Sequence, residues 1–282
     1  MNTDIETVVI SVLHPTDFSE ASNTAFEHAL AISTKAKSSL SILHVENKDF
    51  DKPDWRNFPH VRTTLNRWGL IKENSTRESV FSDLGIKIQK VEIKSGDAVT
   101  SIVKFAEKHP TDLIVLATHH NGLPGWMRGS VSEPVSRECR KKTIFVPELA
   151  GGFVSGKGHI NIENILIPVD FKPNPLSAIK FTVDFAKTYS DSESVNIFLL
   201  HVGDSIKLDK IDMFSDEKIN VSKEIVSGNV IDEIIKKANT QRADLIVMPT
   251  HGHDGFLDIL RGSTTERILH HAKCPVLAYP TF

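Results

Sequence analysis

The segment DLIVMPTHG (Asp244–Gly252) is the most informative stretch for the fold. An apolar run ends abruptly within it and is followed by small and polar residues. Nine residues separate Gly252 from Gly262, Ser263 follows directly, and an apolar helical pattern begins at Thr264. Glycines let the backbone come close to a ligand, and the free N–H groups at a helix N-terminus attract anions. A strand, a loop, a Gly-Ser pair and a helix start in this order therefore predict a phosphate site.

Length and composition limit the class of protein. The chain has 282 residues, enough for one large or two medium domains, with the 40% hydrophobic and 24% charged content of an ordinary globular protein. A net charge of -3 argues against a general nucleic-acid binder, which needs a basic face. No apolar run approaches the ~20 residues that span a bilayer, and the N-terminus lacks a signal-peptide pattern. We therefore expect a cytoplasmic protein without membrane insertion, in which Cys139 and Cys274 are buried thiols.

Alternating strands and helices are predicted throughout the first half. The predicted strands cover 7–13, 39–45, 86–93, 112–117 and 143–146, and the predicted helices cover 20–34, 59–70, 74–84, 98–109 and 130–140. Most of these strands are continuous apolar runs, which is typical of strands buried on both faces of a parallel sheet. The order of elements calls for a parallel sheet with right-handed crossovers.

The second half repeats the first. A P-x-D-F tetrapeptide ends an apolar strand at Pro15–Phe18 and again at Pro168–Phe171. Four more landmarks recur in the same order: L-H-V at 43–45 and 200–202, S-G at 95–96 and 227–228, D-L-I-V at 112–115 and 244–247, and R-G-S at 128–130 and 261–263. Five matched landmarks in one order indicate a tandem duplication, with domains predicted at 1–150 and 159–282.

The two halves differ in one connection. The distance from His44 to Gly96 is 52 residues, whereas that from His201 to Gly228 is 27. The second half therefore lacks about one helix of this crossover, and residues 206–220 form a short connection.

The Gly-rich segment 150–158 joins the halves and is predicted to be a flexible linker. Its G-x4-G-K pattern, from Gly151 to Lys157, imitates a phosphate-binding P-loop. The next residue is Gly158 instead of Ser or Thr, and a strand pattern follows instead of a helix, so we do not assign a phosphate site here.

Two α/β units that carry P-x-D, L-H-V and a T-H-G…G-S segment resemble the tandem type of universal stress protein over nearly the whole chain. The resemblance implies an α/β fold of two tandem doubly wound domains. Each would be a five-stranded parallel sheet flanked by helices, Rossmann-like and similar to adenine nucleotide alpha hydrolases, with strand order 3-2-1-4-5. It also implies that the fifth strands, near 144–146 and 277–279, pair across the domains as a pseudo-dimer. A homodimer on top of this pseudo-dimer is left open.

The resemblance further implies a ligand, ATP or another adenine nucleotide, with or without Mg²⁺. Nucleotide-binding members of the family are similar to a pattern of Gly, two residues, Gly, nine residues, then Gly-Ser or Gly-Thr. The corresponding positions here are Pro249, Gly252, Gly262 and Ser263, so the first glycine is replaced. Proline removes one N–H and one flexible position. The triphosphate would lie over these glycines, Ser263 and Thr264.

The same resemblance places the base and the ribose. Asp170 would lie near the adenine or ribose, and the backbone of Val202 would meet the adenine edge. The weaker site of the first half would use four equivalent residues: Asp17, Val45, Gly129 and Ser130. It is weaker because Ala117 and His120 replace both leading glycines, and eight residues instead of nine precede Gly129.

Other interpretations stay open beside this one. Asp17 and Asp170 also suit a purely structural role as turn formers. The histidines and cysteine of the C-terminal region, His251, His253, His270, His271 and Cys274, show no metal-ligand spacing, and we predict no metal site. No catalytic residues can be assigned. We expect a stress-response regulatory protein; the alternatives are a slow ATPase or nucleotidyl-transfer enzyme, and a non-nucleotide-binding scaffold for a protein or lipid partner.

Overall fold

The computed structural model describes residues 11–46, 55–118, 131–148, 152–206, 214–251 and 264–281. The strands in this part are β1 (Ser11–Pro15), β2 (Ser39–Val45), β3 (Lys87–Ile93), β4 (Leu113–Thr118), β5 (Lys142–Pro147), β6 (Asn164–Pro168), β7 (Val195–Val202), β8 (Ile219–Val226), β9 (Leu245–His251) and β10 (Val276–Thr281). The helices are α1 (Glu20–Ala36), α2 (Val61–Arg67), α3 (Arg77–Leu84), α4 (Ala98–Lys108), α5 (Ser132–Cys139), α6 (Leu176–Tyr189), α7 (Val230–Thr240) and α8 (Thr264–His271).

All ten strands form one sheet in the order β3-β2-β1-β4-β5-β10-β9-β6-β7-β8. Within each half the pairing is parallel and the order is 3-2-1-4-5, as predicted. The two halves meet where β5 and β10 pair antiparallel, with Ile144 opposite Leu277. The predicted pseudo-dimer through the fifth strands is therefore confirmed.

The apolar patterns place the helices on both faces of the sheet. The apolar stripe of α1, including Phe26 and Leu30, is buried against one face. Ile102, Val135 and Cys139 of α4 and α5 pack on the opposite face. Ser19 caps α1 by accepting a hydrogen bond from the Ser22 N–H, as the sequence predicts for a Ser at this position.

The connection between β2 and β3 carries the difference between the halves. In the first half it contains α2 and α3, close to the two predicted helices. In the second half, the described residues between β7 and β8, 203–206 and 214–218, contain no α-helix. The prediction of a shortened second crossover agrees with this part of the structure.

The segment between the halves is not a free linker. Phe153 and Val154 are buried, and the backbone pairs Val154 with Ile160 in a short antiparallel bridge. The Ser155 N–H donates to the His159 carbonyl at 2.9 Å, which closes a turn. The prediction of flexibility is therefore wrong for residues 152–158. The glycines suggested a flexible backbone, but the aromatic and β-branched residues between them are buried in the core.

Two glycines of this hairpin are needed for close packing. Gly152 has φ +69°, and a Cβ there would lie 2.1 Å from the His28 ring. Gly158 has φ +78°, and a Cβ there would lie 2.4 Å from the Trp68 ring. Both the left-handed backbone and the lack of space require glycine.

No helix in the described part of the chain is long and apolar enough to span a membrane.

His28 fastens the hairpin to α1, and its removal should cost stability. Its Nδ1 lies 2.8 Å from the Thr24 carbonyl and its Nε2 lies 3.0 Å from the Phe153 N–H, which donates to it. We expect His28→Phe, which keeps a ring but leaves this N–H without an acceptor, to lower the free energy of unfolding by about 1–3 kcal/mol. Urea denaturation at pH 7 measures this. His109→Phe, at an exposed ring, is the matched control, and equal losses in the two variants would contradict the assignment.

The same histidine should make stability depend on pH. Burial lowers the pKa of His28 from 6.5 to about 4, against the raising effect of the Thr24 hydrogen bond. The folded state therefore disfavours the protonated ring, so its contribution is complete above pH 6.5 and is lost as the pH falls towards 4. We expect the free energy of unfolding of His28→Phe to fall less steeply than that of the wild type across this interval. Parallel curves would show that His28 does not titrate on unfolding.

Candidate functional site

The candidate site lies at the carboxyl ends of β6, β7 and β9. Pro168 pairs with Leu200, so Asp170 and Val202, each two positions further on, reach the same level of the sheet edge. Leu166 pairs with Ile246, so Thr250 reaches that level as well, four positions beyond. The structure therefore brings the predicted Asp170 and Val202 together on neighbouring strands. The crevice between β6 and β9 is the point where the strand order reverses, and ligands of open α/β sheets collect there.

The nitrogen of Pro249, which carries no N–H donor, faces this crevice. The Ile246 N–H points away from β6, since it donates to the Pro275 carbonyl before β10. The backbone groups of a strand alternate in direction, so the nitrogen of Pro249 points towards β6. The pairing of β6 with β9 ends at Ile246, so the proline costs the sheet no hydrogen bond in this ladder. Its effect is to remove one N–H donor from the crevice.

Helix α8 begins at the predicted residue, Thr264. It connects the carboxyl end of β9 to the amino end of the parallel strand β10, so its N-terminus lies at the same sheet edge as Asp170. The other predicted residues of the phosphate loop are outside the described residues: Gly252, Gly262 and Ser263 in the second half, and Gly129 and Ser130 in the first.

His201 fixes the turn that carries Asp170. Its Nδ1 lies 3.0 Å from the Val169 carbonyl, and its ring is almost fully buried. The Phe171 N–H donates to Asp170 Oδ1 at 2.7 Å, so one carboxylate oxygen serves the local turn. The Asp170 side chain is still 67% exposed, which leaves it accessible to a ligand. The turn-forming and the binding interpretations of this residue are thus compatible.

The first half repeats this framework. Pro15 pairs with Leu43, so Asp17 and Val45 reach one level, and Leu13 pairs with Ile114. His44 Nδ1 lies 2.8 Å from the Thr16 carbonyl, and the equivalent His201 Nδ1 lies 3.0 Å from the Val169 carbonyl. The Ser19 N–H donates to Asp17 Oδ1 at 3.0 Å.

The two halves differ in what covers this corner. In the first half, Phe18 packs on His44 with ring centroids 4.3 Å apart, and Trp55 and Phe58 of the long crossover lie 5.0 and 5.9 Å from Phe18. In the second half, the equivalent Phe171 lies 5.9 Å from His201 and is 65% exposed. The crossover of the first half closes over its own corner with aromatic side chains, whereas among the described residues of the second half no aromatic side chain of the crossover covers Phe171.

A buried polar network adds to the closure of the first half. His14 lies on β1, with Nδ1 3.0 Å from the Val115 carbonyl of β4 and Nε2 3.5 Å from Ser22 Oγ. Burial lowers the pKa of His14 from 6.5 to about 4, although the Val115 hydrogen bond and the charge of Asp17 oppose this. The ring is therefore neutral at pH 7 and bridges the first-half switch point as a structural group. Its counterpart in the second half is Ile167.

Two threonine hydroxyls were missed by the sequence analysis. Thr118 and Thr250 lie at equivalent positions near the ends of β4 and β9, and each Oγ1 is buried without a hydrogen-bond partner among the described residues. An unpaired buried hydroxyl costs about 1–3 kcal/mol, which a bound group could recover. The T-H dipeptide that recurs at 118–119 and 250–251 was the available signal.

The structure adds little to the metal question. No group of three or more His, Cys, Asp or Glu side chains with metal-binding geometry occurs among the described residues, and His253 lies outside them. His271 Nδ1 lies 2.7 Å from the Arg267 carbonyl of its own helix. Cys139 and Cys274 are buried free thiols, and burial raises the pKa of each to about 12.

Comparisons with known proteins identify the family. The sequence model of the universal stress protein family matches residues 11–147 and again 161–280, so the chain belongs to the universal stress protein family. It is 30% identical over 137 residues to the universal stress protein MJ0531 of Methanocaldococcus jannaschii, covering 41% of this chain and 80% of that one. It is 22% identical over 271 residues to the universal stress protein Rv2005c of Mycobacterium tuberculosis, covering 84% and 86%.

A solved universal stress protein from Archaeoglobus fulgidus has the same fold over the full length. Its TM-score is 0.64 at 19% identity, covering 98% of this chain and 97% of that one. The tandem arrangement inferred from the repeat is thus found in a solved protein of similar size.

Gly203, which follows the site strand β7, tests how tightly His201 is held. A Cβ at Gly203 would lie 2.7 Å from His201 Nε2, and the ring is buried and tethered, so it cannot move freely. We expect Gly203→Ala to lower the free energy of unfolding by about 1–3 kcal/mol through this overpacking. Gly156→Ala is the control, because nothing lies within 4 Å of a Cβ there. Urea denaturation compares the two, and equal stabilities would contradict a rigid His201.

Proposed function

We propose that the protein is a stress-response regulatory protein that binds an adenine nucleotide, ATP in the first instance, in its second half. One observation carries the proposal. Asp170, the end of β7 at Val202 and the start of α8 at Thr264 lie at one sheet edge, beside the switch point between β6 and β9. This edge offers a carboxylate for a ribose or amine, strand-end backbone for a base, and a helix N-terminus for phosphate.

The contrast between the halves supports the choice of the second. The corner of the first half is filled by Trp55 and Phe58, and its switch point is bridged by His14. In the second half, the described residues of the crossover contain no α-helix, and the exposed Phe171 can stack on a purine ring. The hydroxyl of Thr250 would gain a partner from a ligand in the crevice.

Nucleotide content distinguishes this proposal from its alternatives. Protein purified without added nucleotide is heated, and the released material is identified by absorbance and mass. Co-purified ATP supports regulated binding, whereas ADP or AMP that accumulates with turnover supports a slow ATPase or nucleotidyl-transfer enzyme. An empty protein that also fails to bind added ATP, with and without Mg²⁺, contradicts the proposal and favours a scaffold for a protein or lipid partner.

Equivalent substitutions in the two halves test the location. We expect Asp170→Asn to weaken ATP binding about tenfold, because the charge that accepts from a ribose or amine is lost. Asp17→Asn, at the covered corner, should leave the affinity within about twofold by the same reasoning. Isothermal titration calorimetry measures both. The asymmetry is refuted if Asp17→Asn has the larger effect.

A second pair of variants tests the phosphate loop. We expect Gly262→Val to weaken ATP binding at least about tenfold, since a side chain would stand where backbone must approach the phosphates. Gly129→Val makes the same change at the equivalent position of the first half and should have little effect. Unchanged affinity in Gly262→Val, with an unaltered circular dichroism spectrum, would rule out a phosphate site in the second half.

A further inference from the structure

The two helices of the first-half crossover, α2 and α3, form part of a second surface feature. An open groove of about 1690 Å³ lies between α2, α3 and the strand β3. It is far along the sheet from β6 and β9, which carry the candidate nucleotide site. The proposed function makes no use of it.

One wall of the groove is an unpaired sheet edge. Among the described residues, β3 is the first strand of the sheet and pairs only with β2. The Lys87 N–H donates to the Ser38 carbonyl and the Ile93 carbonyl accepts from Glu46, so odd-numbered residues of β3 face inwards. Backbone direction alternates, so Ile88, Lys90 and Glu92 turn their N–H and C=O groups outwards. Such a row of groups is a template for another strand.

The side chains around this edge carry an excess of positive charge. Four cations line the groove, namely Arg62, Arg77, Lys87 and Lys90, against the two carboxylates Glu73 and Glu78. None of the four cations forms an ion pair with a carboxylate in the part of the chain that the structure describes. The chain as a whole has a net charge of -3, so this positive groove is a local feature.

The groove also has an apolar component. Phe81 on α3 is 59% exposed, whereas Val80 and Ile86 beside it are buried. Arg77 reaches across from α3 to the Ile88 carbonyl at 3.5 Å, so cationic and backbone groups lie together at the edge. A strand laid along β3 would present alternate side chains to one face of the sheet.

We propose that this groove binds an acidic segment of a partner protein in extended conformation, which adds to β3 as a further strand. Main-chain hydrogen bonds to Lys90 and Glu92 provide affinity, the four cations select negative side chains, and Phe81 contacts an apolar residue between them. Lysines also protect exposed edges against random pairing. On the opposite edge strand β8, by contrast, Glu224 forms an ion pair with Lys237 of α7.

The binding test uses the full chain and labelled peptides. The probe is a fluorescein-labelled peptide of about eight alternating Glu and Val residues, long enough to span the strand. The Glu-Val peptide methylated at every backbone nitrogen has the same charge but cannot donate the hydrogen bonds of a strand, and a Lys-Val peptide reverses the charge. We expect anisotropy to detect binding of the Glu-Val peptide alone. No binding of this peptide, or equal binding of the N-methylated peptide, would overturn the proposal.

Variants and amide exchange locate the bound strand. We expect Lys87→Glu and Arg77→Glu each to weaken the Glu-Val peptide about tenfold, because like charges would then face each other. Lys223→Glu, on the opposite edge strand, makes the same change and should have no effect. Hydrogen exchange of the Lys90 and Glu92 amides should slow on binding. Unchanged exchange there, or an equal loss in Lys223→Glu, would overturn strand addition at β3.

Discussion

The antiparallel pairing of β5 with β10 is the constraint on which the rest of the architecture depends. It joins two parallel five-stranded sheets into one and reverses the direction of the second relative to the first. The carboxyl ends of the strands in the two halves consequently lie on opposite edges of the sheet. Lys142 at this seam packs over Phe181 and Tyr279 of the other half, at 5.2 and 5.9 Å from the ring centroids. The two candidate corners therefore face away from each other.

The duplicated halves keep the framework and differ in what they place on it. Both halves have the same strand order, and in both a histidine at the end of strand two (His44 or His201) bonds to the turn that carries an aspartate (Asp17 or Asp170). The crossover after strand two differs between the halves, and its aromatic residues decide whether the corner is covered. The same longer crossover provides the positive groove beside β3. One connection thus covers the corner of the first half and creates a surface of a different kind.

The sequence predicted the fold well because its signals were local or repeated. Apolar runs ended in the same motifs twice, which gave the strand order and the pseudo-dimer. The position of Asp170 beside Val202 also followed, since both end adjacent strands. The covering of Phe18 by Trp55 and the burial of Thr250 could not be predicted, because they depend on contacts between residues distant along the chain. The hairpin at 152–158 was misjudged because glycine content was considered without the buried Phe153.

That hairpin has a consequence for how such a protein can diverge after duplication. In a dimer of identical chains, every change at the interface occurs twice and must fit its own copy. Here the connecting segment is anchored on α1 through His28, and the covalent link keeps the effective concentration of each half near the other high. β5 and β10 need to match only each other. The seam is therefore free to become asymmetric, and each half can specialise without losing its neighbour.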